Sequence, residues 1–296
     1  MPGPEQQLLD AAIRYLEELR ASGAAFVSLE KGVFEALSAP ARKTAAPPGL
    51  PRLTPAPSRP QPEPSLFAAS SPPAAPEPEA FAAPELSREA KASAMTELRE
   101  RALICQRCPH LAASRKNVVF GVGDIYSPLM FVGEAPGMDE DTQGEPFVGK
   151  AGQLLTKIIQ TMGLSRQTVY IANILKCRPD TPGQTSGNRK PTLNEMQTCL
   201  PYLLSQIEII RPKIMVALGA TAVEGLFGKP LSITRARGKF LSFRGIPVMP
   251  TYHPAYLLRN QALSVKREIW EDMLQVMEKL QMPVSEKQKN YFLKAG

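Results

Sequence analysis

The sequence predicts an α/β fold in which a mostly parallel sheet is covered by helices on both faces, a three-layer α/β/α sandwich. Two observations carry this. From about residue 85 onward, short apolar runs alternate with longer helical patterns, as expected of strands buried on both faces beneath crossover helices. Before that point the composition is different in kind. Residues 40–84 hold 14 of the chain's 30 prolines, interleaved with Ala and Ser, and such a stretch cannot bury enough apolar surface to offset the entropy of ordering it.

Taken in order, the elements divide the chain as follows. Residues 1–39 form an N-terminal helical segment, with Leu8, Leu9, Ala12, Ile13, Leu16 and Leu19 at helical spacing. It is too small for a robust core. It either caps the main domain or docks a protein partner through residues 1–38. Residues 40–84 read as a disordered linker that proline stiffens toward polyproline II, with Phe67 and Phe81 as isolated aromatics. Residues 85–282 form the globular domain. Within it, helix is expected over 86–111, strands over 118–120 and 129–132, helix over 149–162 and a strand over 168–174. A helix over 194–210 follows, stopped by Arg211-Pro212, then a strand over 213–218 and a short helix over 219–227. A hairpin of 240–243 with 246–249 and a final helix over 265–280 complete it. Residues 283–296 are left as a C-terminal tail.

Charge is unevenly spread. Residues 1–100 carry 10 Lys and Arg against 13 Asp and Glu, whereas residues 101–296 carry 25 against 15. The basic surplus of the second part has the sign expected of a surface that meets phosphates, with solubility charge as the alternative. No apolar run reaches the roughly 18 residues of a membrane span. The start, Met1-Pro2-Gly3-Pro4-Glu5, lacks the basic and apolar regions of a secretory signal. A cytoplasmic location with reduced thiols is expected.

Four cysteines then suggest a metal site. Cys105 and Cys108 are at x-x spacing, Cys177 follows the strand over 168–174, and Cys199 lies in the next helix. The second close pair of a zinc ribbon is missing. Iron–sulfur clusters tolerate more scattered thiolates, so a cluster, zinc or four unlinked buried thiols all stand as readings. His110, after Cys108-Pro109, is expected beside the site or at the surface rather than among the ligands.

Two loops carry the chemistry. Gly133-Glu134-Ala135-Pro136-Gly137 follows the apolar run 129–132, and His253-Pro254-Ala255-Tyr256-Leu257-Leu258-Arg259 follows Ile246-Pro247-Val248-Met249. Each reads as the C-terminal end of a buried strand, where open α/β sheets bind ligands. The pair brings a carboxylate and one of the chain's two histidines to one rim. Glu134 either reaches into the crevice or favours a helix N-terminus. Phe147, between turn residues, either anchors its loop or offers a face to a flat ligand. Asn173 interrupts an apolar strand, and its amide is either satisfied by backbone or exposed at the strand end to read a ligand.

Together, Gly133-Glu134-Ala135-Pro136-Gly137, Pro146-Phe147-Val148-Gly149, Asn173, the four cysteines and His253-Pro254 with Leu258-Arg259 resemble the family 4 uracil-DNA glycosylases over roughly residues 90–282. The resemblance implies a central, mostly parallel four-stranded sheet and a structural 4Fe–4S cluster on Cys105, Cys108, Cys177 and Cys199. It also implies a monomer, with no membrane partner, that acts on uracil-containing DNA in base excision repair. Two departures are visible. The stretch between Cys177 and Cys199 is lengthened around residues 181–188. The basic stretch Thr234-Arg235-Ala236-Arg237-Gly238-Lys239 has no histidine, so the covalent adduct chemistry of a related group is not expected.

The implied reaction removes a flipped uracil, extruded from the stack at a cost of a few kcal/mol. Phe147 would stack on the base. The Asn173 amide would accept from N3–H and donate to O4, a pattern that cytosine reverses. Glu140 would line the C5 side, against the thymine methyl. His253, as a neutral imidazole, would donate to O2 where negative charge develops, assisted by backbone N–H groups near Ala135. Glu134 would stabilise the cationic sugar and orient water. Leu257, Leu258 or Arg259 would fill the gap left in the DNA, with core burial as the alternative for the leucines. A broader glycosylase acting on hypoxanthine or xanthine, and a non-catalytic DNA-binding iron–sulfur module, are the competing readings.

Overall fold

The run Leu129–Gly133 is buried at every residue, which requires covering layers on both of its faces. The computed structural model describes residues 86–180 and 188–293 and supplies those layers. The segments read as helical (1–39) and linker (40–84) lie outside the described residues, as do 181–187.

The strands are β1 (Val122–Gly123), β2 (Leu129–Gly133), β3 (Tyr170–Asn173), β4 (Ile214–Leu218), β5 (Leu241–Phe243) and β6 (Ile246–Thr251), ordered β1-β3-β2-β4-β6-β5 in one sheet. β2 pairs in parallel with β3 and β4, and β4 with β6. These four parallel strands are the expected centre. The sheet is wider than four because β1 and β5 add short antiparallel edges. The chain moves from β2 outward to β3, then crosses back past β2 to β4. This reversal opens a crevice at the C-terminal ends of β2, β3 and β6.

Alternation along the strands makes two cores. Met130, Val132, Tyr170, Ala172, Met215 and Ala217 face one way, against Met95 and Leu98 of α1 (Arg88–Leu103) and Leu203 and Ile207 of α5 (Leu193–Ile210). Phe131, Ile171, Val216 and Met249 face the other way, against Leu155 and Ile159 of α4 (Lys150–Thr161) and Trp270, Met273 and Val276 of α9 (Leu263–Lys279). Each fully buried Leu, Ile or Met contributes about 1.5–3 kcal/mol. The three layers therefore rest on period-2 strands between helices with one apolar face each. No helix among the described residues is long and apolar enough to cross a membrane.

Several boundaries differ from the sequence expectation, each for a local reason. The helix expected over 86–111 is two helices, α1 and α2 (Pro109–Ser114). Pro109 cannot continue a helix but is well suited to begin one, so Cys105 and Cys108 occupy the break. Residues 118–120 are buried yet only Val122–Gly123 pairs as a strand. α3 (Met138–Gln143), α7 (Ile233–Ala236), α8 (Pro254–Arg259) and α10 (Glu286–Lys289) are too short to leave a periodic signal; α6 (Ala220–Phe227) matches its expectation. Residues 283–293, read as a tail, pack on the domain. The Trp270 indole donates to Gln288 O at 2.5 Å, and the Gln288 amide donates to Thr161 O at 2.8 Å.

Candidate active site

The crevice holds a cavity of about 380 Å³ lined by residues of both loops, including Glu134, Ala135, Glu140, Phe147, Asn173, His253 and Arg259. The register explains part of this. Gly133 and Asn173 are paired at the ends of β2 and β3, so the Glu134 loop and the Asn173 amide leave the sheet side by side.

Phe147 sits in the left-handed region, with φ of 56°, a costly conformation for a bulky residue. Arg166 holds it there, donating from Nη1 to Phe147 O at 3.0 Å and from Nη2 to Pro146 O at 2.7 Å. Gly152 lets α4 approach. A Cβ at that position would lie 1.9 Å from both Phe147 C and Phe147 O. Gly133 forms the floor, where a Cβ would lie 2.4 Å from Asn173 Oδ1 and 2.4 Å from Phe147 Cζ. The ring is buried and stands 5.7 Å from the His253 ring, centroid to centroid.

Asn173 is 1% exposed. Its Oδ1 is the one buried side-chain polar atom among the described residues without a hydrogen-bond partner. Buried acceptors are nearly always satisfied, so an orphan on a cavity wall points to a ligand donor.

His253 caps α8, and its Nδ1 accepts from Ala255 N–H at 3.1 Å. An accepting Nδ1 leaves the ring proton on Nε2. Burial, with Arg259 adding to it, pulls the imidazole down to about 4, so at neutral pH it is an uncharged donor. Gly219 makes room for it, since a Cβ there would lie 2.9 Å from His253 Cβ. Burial raises Glu134 above the usual carboxylate range, opposed by a hydrogen bond from Thr221 and by the charge of Lys190. Glu140 lines the cavity. Its carboxylate accepts from the backbone N–H groups of Gly137, Val148 and Gly149, each at 3.0 Å, and so ties the end of the Glu134 loop to the turn that carries Phe147.

The second loop divides by burial. Leu257 is 7% exposed and packs with Val265 and Ile269. It is a core leucine, which corrects its expected role at the DNA. Leu258 is 40% exposed, and Arg259 is exposed at the cavity. Sequence reasoning missed Asn188 and Arg189, which also line the cavity, and Thr221, which reaches Glu134. No spacing signal marks any of them, because Asn188 and Arg189 come from the loop before α5 and Thr221 from α6, all distant in sequence from Glu134.

All four cysteines are free thiols. They share one neighbourhood: Cys105 and Cys177 each raise Cys108, and Cys177 and Cys108 each raise Cys199. Burial is the largest cause and pushes Cys199 up to about 12. Arg115 Nη1 donates to Cys177 Sγ at 3.1 Å, and Lys176 N–H donates to Cys199 Sγ at 3.3 Å. No group of three His, Cys, Asp or Glu among the described residues is placed to hold a single metal ion. His110 Nε2 lies 2.7 Å from Glu195 Oε1 with its side chain 58% exposed.

Comparison with known proteins places this geometry in context. The family described as "Uracil DNA glycosylase superfamily" matches residues 120–274. A type-4 uracil-DNA glycosylase of Thermotoga maritima is 47% identical over 176 residues, covering 59% of this chain and 88% of that one. Those of Saccharolobus solfataricus and Sulfurisphaera tokodaii are 44% and 40% identical, covering 60% and 67% of this chain and 82% and 90% of theirs.

Proposed function

We propose a reaction for this chain on one premise: it belongs to the uracil DNA glycosylase superfamily, among the type-4 proteins. The chain is a uracil-DNA glycosylase that hydrolyses the N-glycosidic bond of a flipped uracil and leaves an abasic site. The observation that carries this is the unpartnered Oδ1 of Asn173, in a cavity whose lining it shares with an aromatic ring and a neutral imidazole. It asks for a donor such as uracil N3–H, while the amide nitrogen meets O4. The purine alternative is not favoured, and a purely DNA-binding module has no need of Glu134 or His253.

Each residue then has a task. Phe147 stacks on the base. His253 donates from Nε2 to O2, where charge develops as the bond breaks, and its low proton affinity keeps it a donor rather than a cation. Glu134 faces the sugar as it becomes cationic and orients the attacking water. Ala135 lies beside the base with its backbone, and Glu140 braces the C5 side. Leu258 and Arg259 meet the DNA where uracil leaves the stack.

A 4Fe–4S cluster fits the four cysteines. The thiols come from the α1–α2 break, the end of β3 and α5, none is in a disulfide, and two sulfurs already accept from an arginine and a backbone N–H. A multinuclear cluster spreads its thiolates more widely than one zinc ion does, which agrees with the lack of a single-ion grouping. When bound, the cluster would brace the α1–α2 break against β3 and α5, and hydrolysis needs no electron from it. We further propose a monomeric cytoplasmic protein with an N-terminal segment over 1–39, open to a protein partner, and a linker over 40–84.

The test is incubation with single- and double-stranded oligonucleotides carrying one uracil, followed by alkaline cleavage at abasic sites. Cleavage at the uracil is expected. An intact strand after treatment with brown protein holding iron and acid-labile sulfide in equal amounts would end this reading. A colourless protein carrying zinc would end the cluster assignment alone.

A further inference from the structure

A lysine buried in an α/β core is an expensive way to fill volume that Met or Leu fills at lower cost. Lys176 is 1% exposed. Its Nζ donates to the backbone oxygen of Asn173 at 3.0 Å and to Gln206 Oε1 at 2.6 Å. Gln206 is itself fully buried, and its Nε2 donates to Phe120 O at 3.0 Å and to Tyr170 Oη at 2.9 Å. With the amide nitrogen committed to two acceptors, Oε1 can only accept, so the far anchor of the amine is fixed in direction. The main chain of Lys176 is held as well. Its N–H donates to Cys199 Sγ at 3.3 Å, and its carbonyl accepts from Val119 N–H at 2.8 Å.

The other end of this chain of bonds is the base pocket. The Asn173 Oδ1 has no partner of its own, so the direction of the amide depends on how the Asn173 backbone is held. β3 ends at Asn173. The next two N–H groups, of Ile174 and Leu175, are fixed to the carbonyls of Gly133 and Glu134 at 2.9 and 3.1 Å, and the Lys176 amine closes back onto the Asn173 carbonyl. We infer that Lys176 is a positioning residue for uracil recognition: its amine holds the Asn173 peptide so that the amide enters the pocket already aimed, and its backbone ties that peptide to the cysteine site.

The inference rests on the pocket taking uracil, and the wild-type protein tests that first. It should excise uracil and be inhibited by free uracil, and failure there is failure of the functional reading, not of the lysine's role. Lys176→Met is then compared with Asn173→Leu and with the double variant. Lys176→Met is expected to keep its iron content and its affinity for abasic-site DNA, with inhibition by uracil weakened about tenfold, the effect of one misaimed hydrogen-bond pair. In the Asn173→Leu background the same change should add less than about twofold, because a residue that acts through Asn173 has nothing left to position. Unchanged uracil inhibition in Lys176→Met, or a full loss repeated in the Asn173→Leu background, overturns the inference. If Lys176→Met does not fold, Gln206→Met releases the amine's far anchor instead. Weakened uracil inhibition there supports the inference, and unchanged inhibition overturns it.

Discussion

Replacing Asn173 by its apolar shape-mate Leu should make the protein more stable and nearly inactive. In the ligand-free protein the Asn173 Oδ1 is buried without a partner, and an unsatisfied acceptor costs about 1–3 kcal/mol. A methyl in its place, against Gly133 and the Phe147 ring, removes that cost. For a domain of about 200 residues each kcal/mol moves Tm by about 2–4 °C, so a rise of about 2–12 °C is expected. The same change leaves uracil N3–H and O4 unpaired in a closed pocket, at about 1–3 kcal/mol each. Single-turnover excision should therefore fall by about 30-fold to about 10⁴-fold. DNA affinity, which phosphates dominate, should hold. Thermal unfolding, excision of uracil from a labelled oligonucleotide and DNA binding measure the three quantities. A variant that loses both Tm and activity would show that Asn173 holds the strand together rather than reads a base, and retained excision would remove it from the pocket.

Other perturbations follow from the same geometry. As pH falls, excision should decline first with protonation of Glu134, whose carboxyl is raised above 4.5, and only later with His253 near 4; Glu134→Gln should abolish that acid limb, and a limb that persists would assign it elsewhere. Stability should also weaken as pH falls from 6.5 toward 4, because the unfolded chain protonates His253 more readily than the native one. The effect is at most about 3 kcal/mol, less for the ring's partial exposure, and His253→Asn should flatten Tm across that window. Gly152→Ala, whose Cβ would meet the Phe147 carbonyl at 1.9 Å, should cost about 1–3 kcal/mol or more and displace the stacking ring, read as lower Tm and weaker uracil inhibition together. Leu257→Ala should destabilise by about 2–5 kcal/mol. Leu258→Ala should shift stability by less than about 0.5 kcal/mol and slow excision from duplex more than from single strands; equal slowing on both would deny Leu258 a place in the vacated stack.

The pocket was legible in proportion to how local its signals were. Glu134, Phe147, Asn173 and His253 each stand in a short motif at a strand end or tight turn, and all four line one cavity. Glu140 lines the same cavity, and the three backbone donors that converge on its carboxylate leave no spacing pattern in the sequence. Leu257 and Leu258 are adjacent and chemically identical, and only the rotation of α8 separates the buried one from the exposed one. Arg189 and Thr221 join the site from other elements, so no window of sequence contains them beside Glu134.

The sequence by itself determined the alternation of apolar strands and helices, the strand-end loops that carry Glu134 and His253 and the close spacing of Cys105 and Cys108, because periodicity and motif spacing are properties of neighbouring residues. Only the tertiary structure decided the two antiparallel edges, the helix break that presents Cys105 and Cys108, the proton on Nε2 of His253 and the unpartnered oxygen of Asn173. Those depend on which distant groups meet a given atom: an Ala255 N–H for the imidazole, the Gly133 floor for the amide and the amine of Lys176 beneath it. Hydrogen bonding and burial act through space, and the chain's order does not record them.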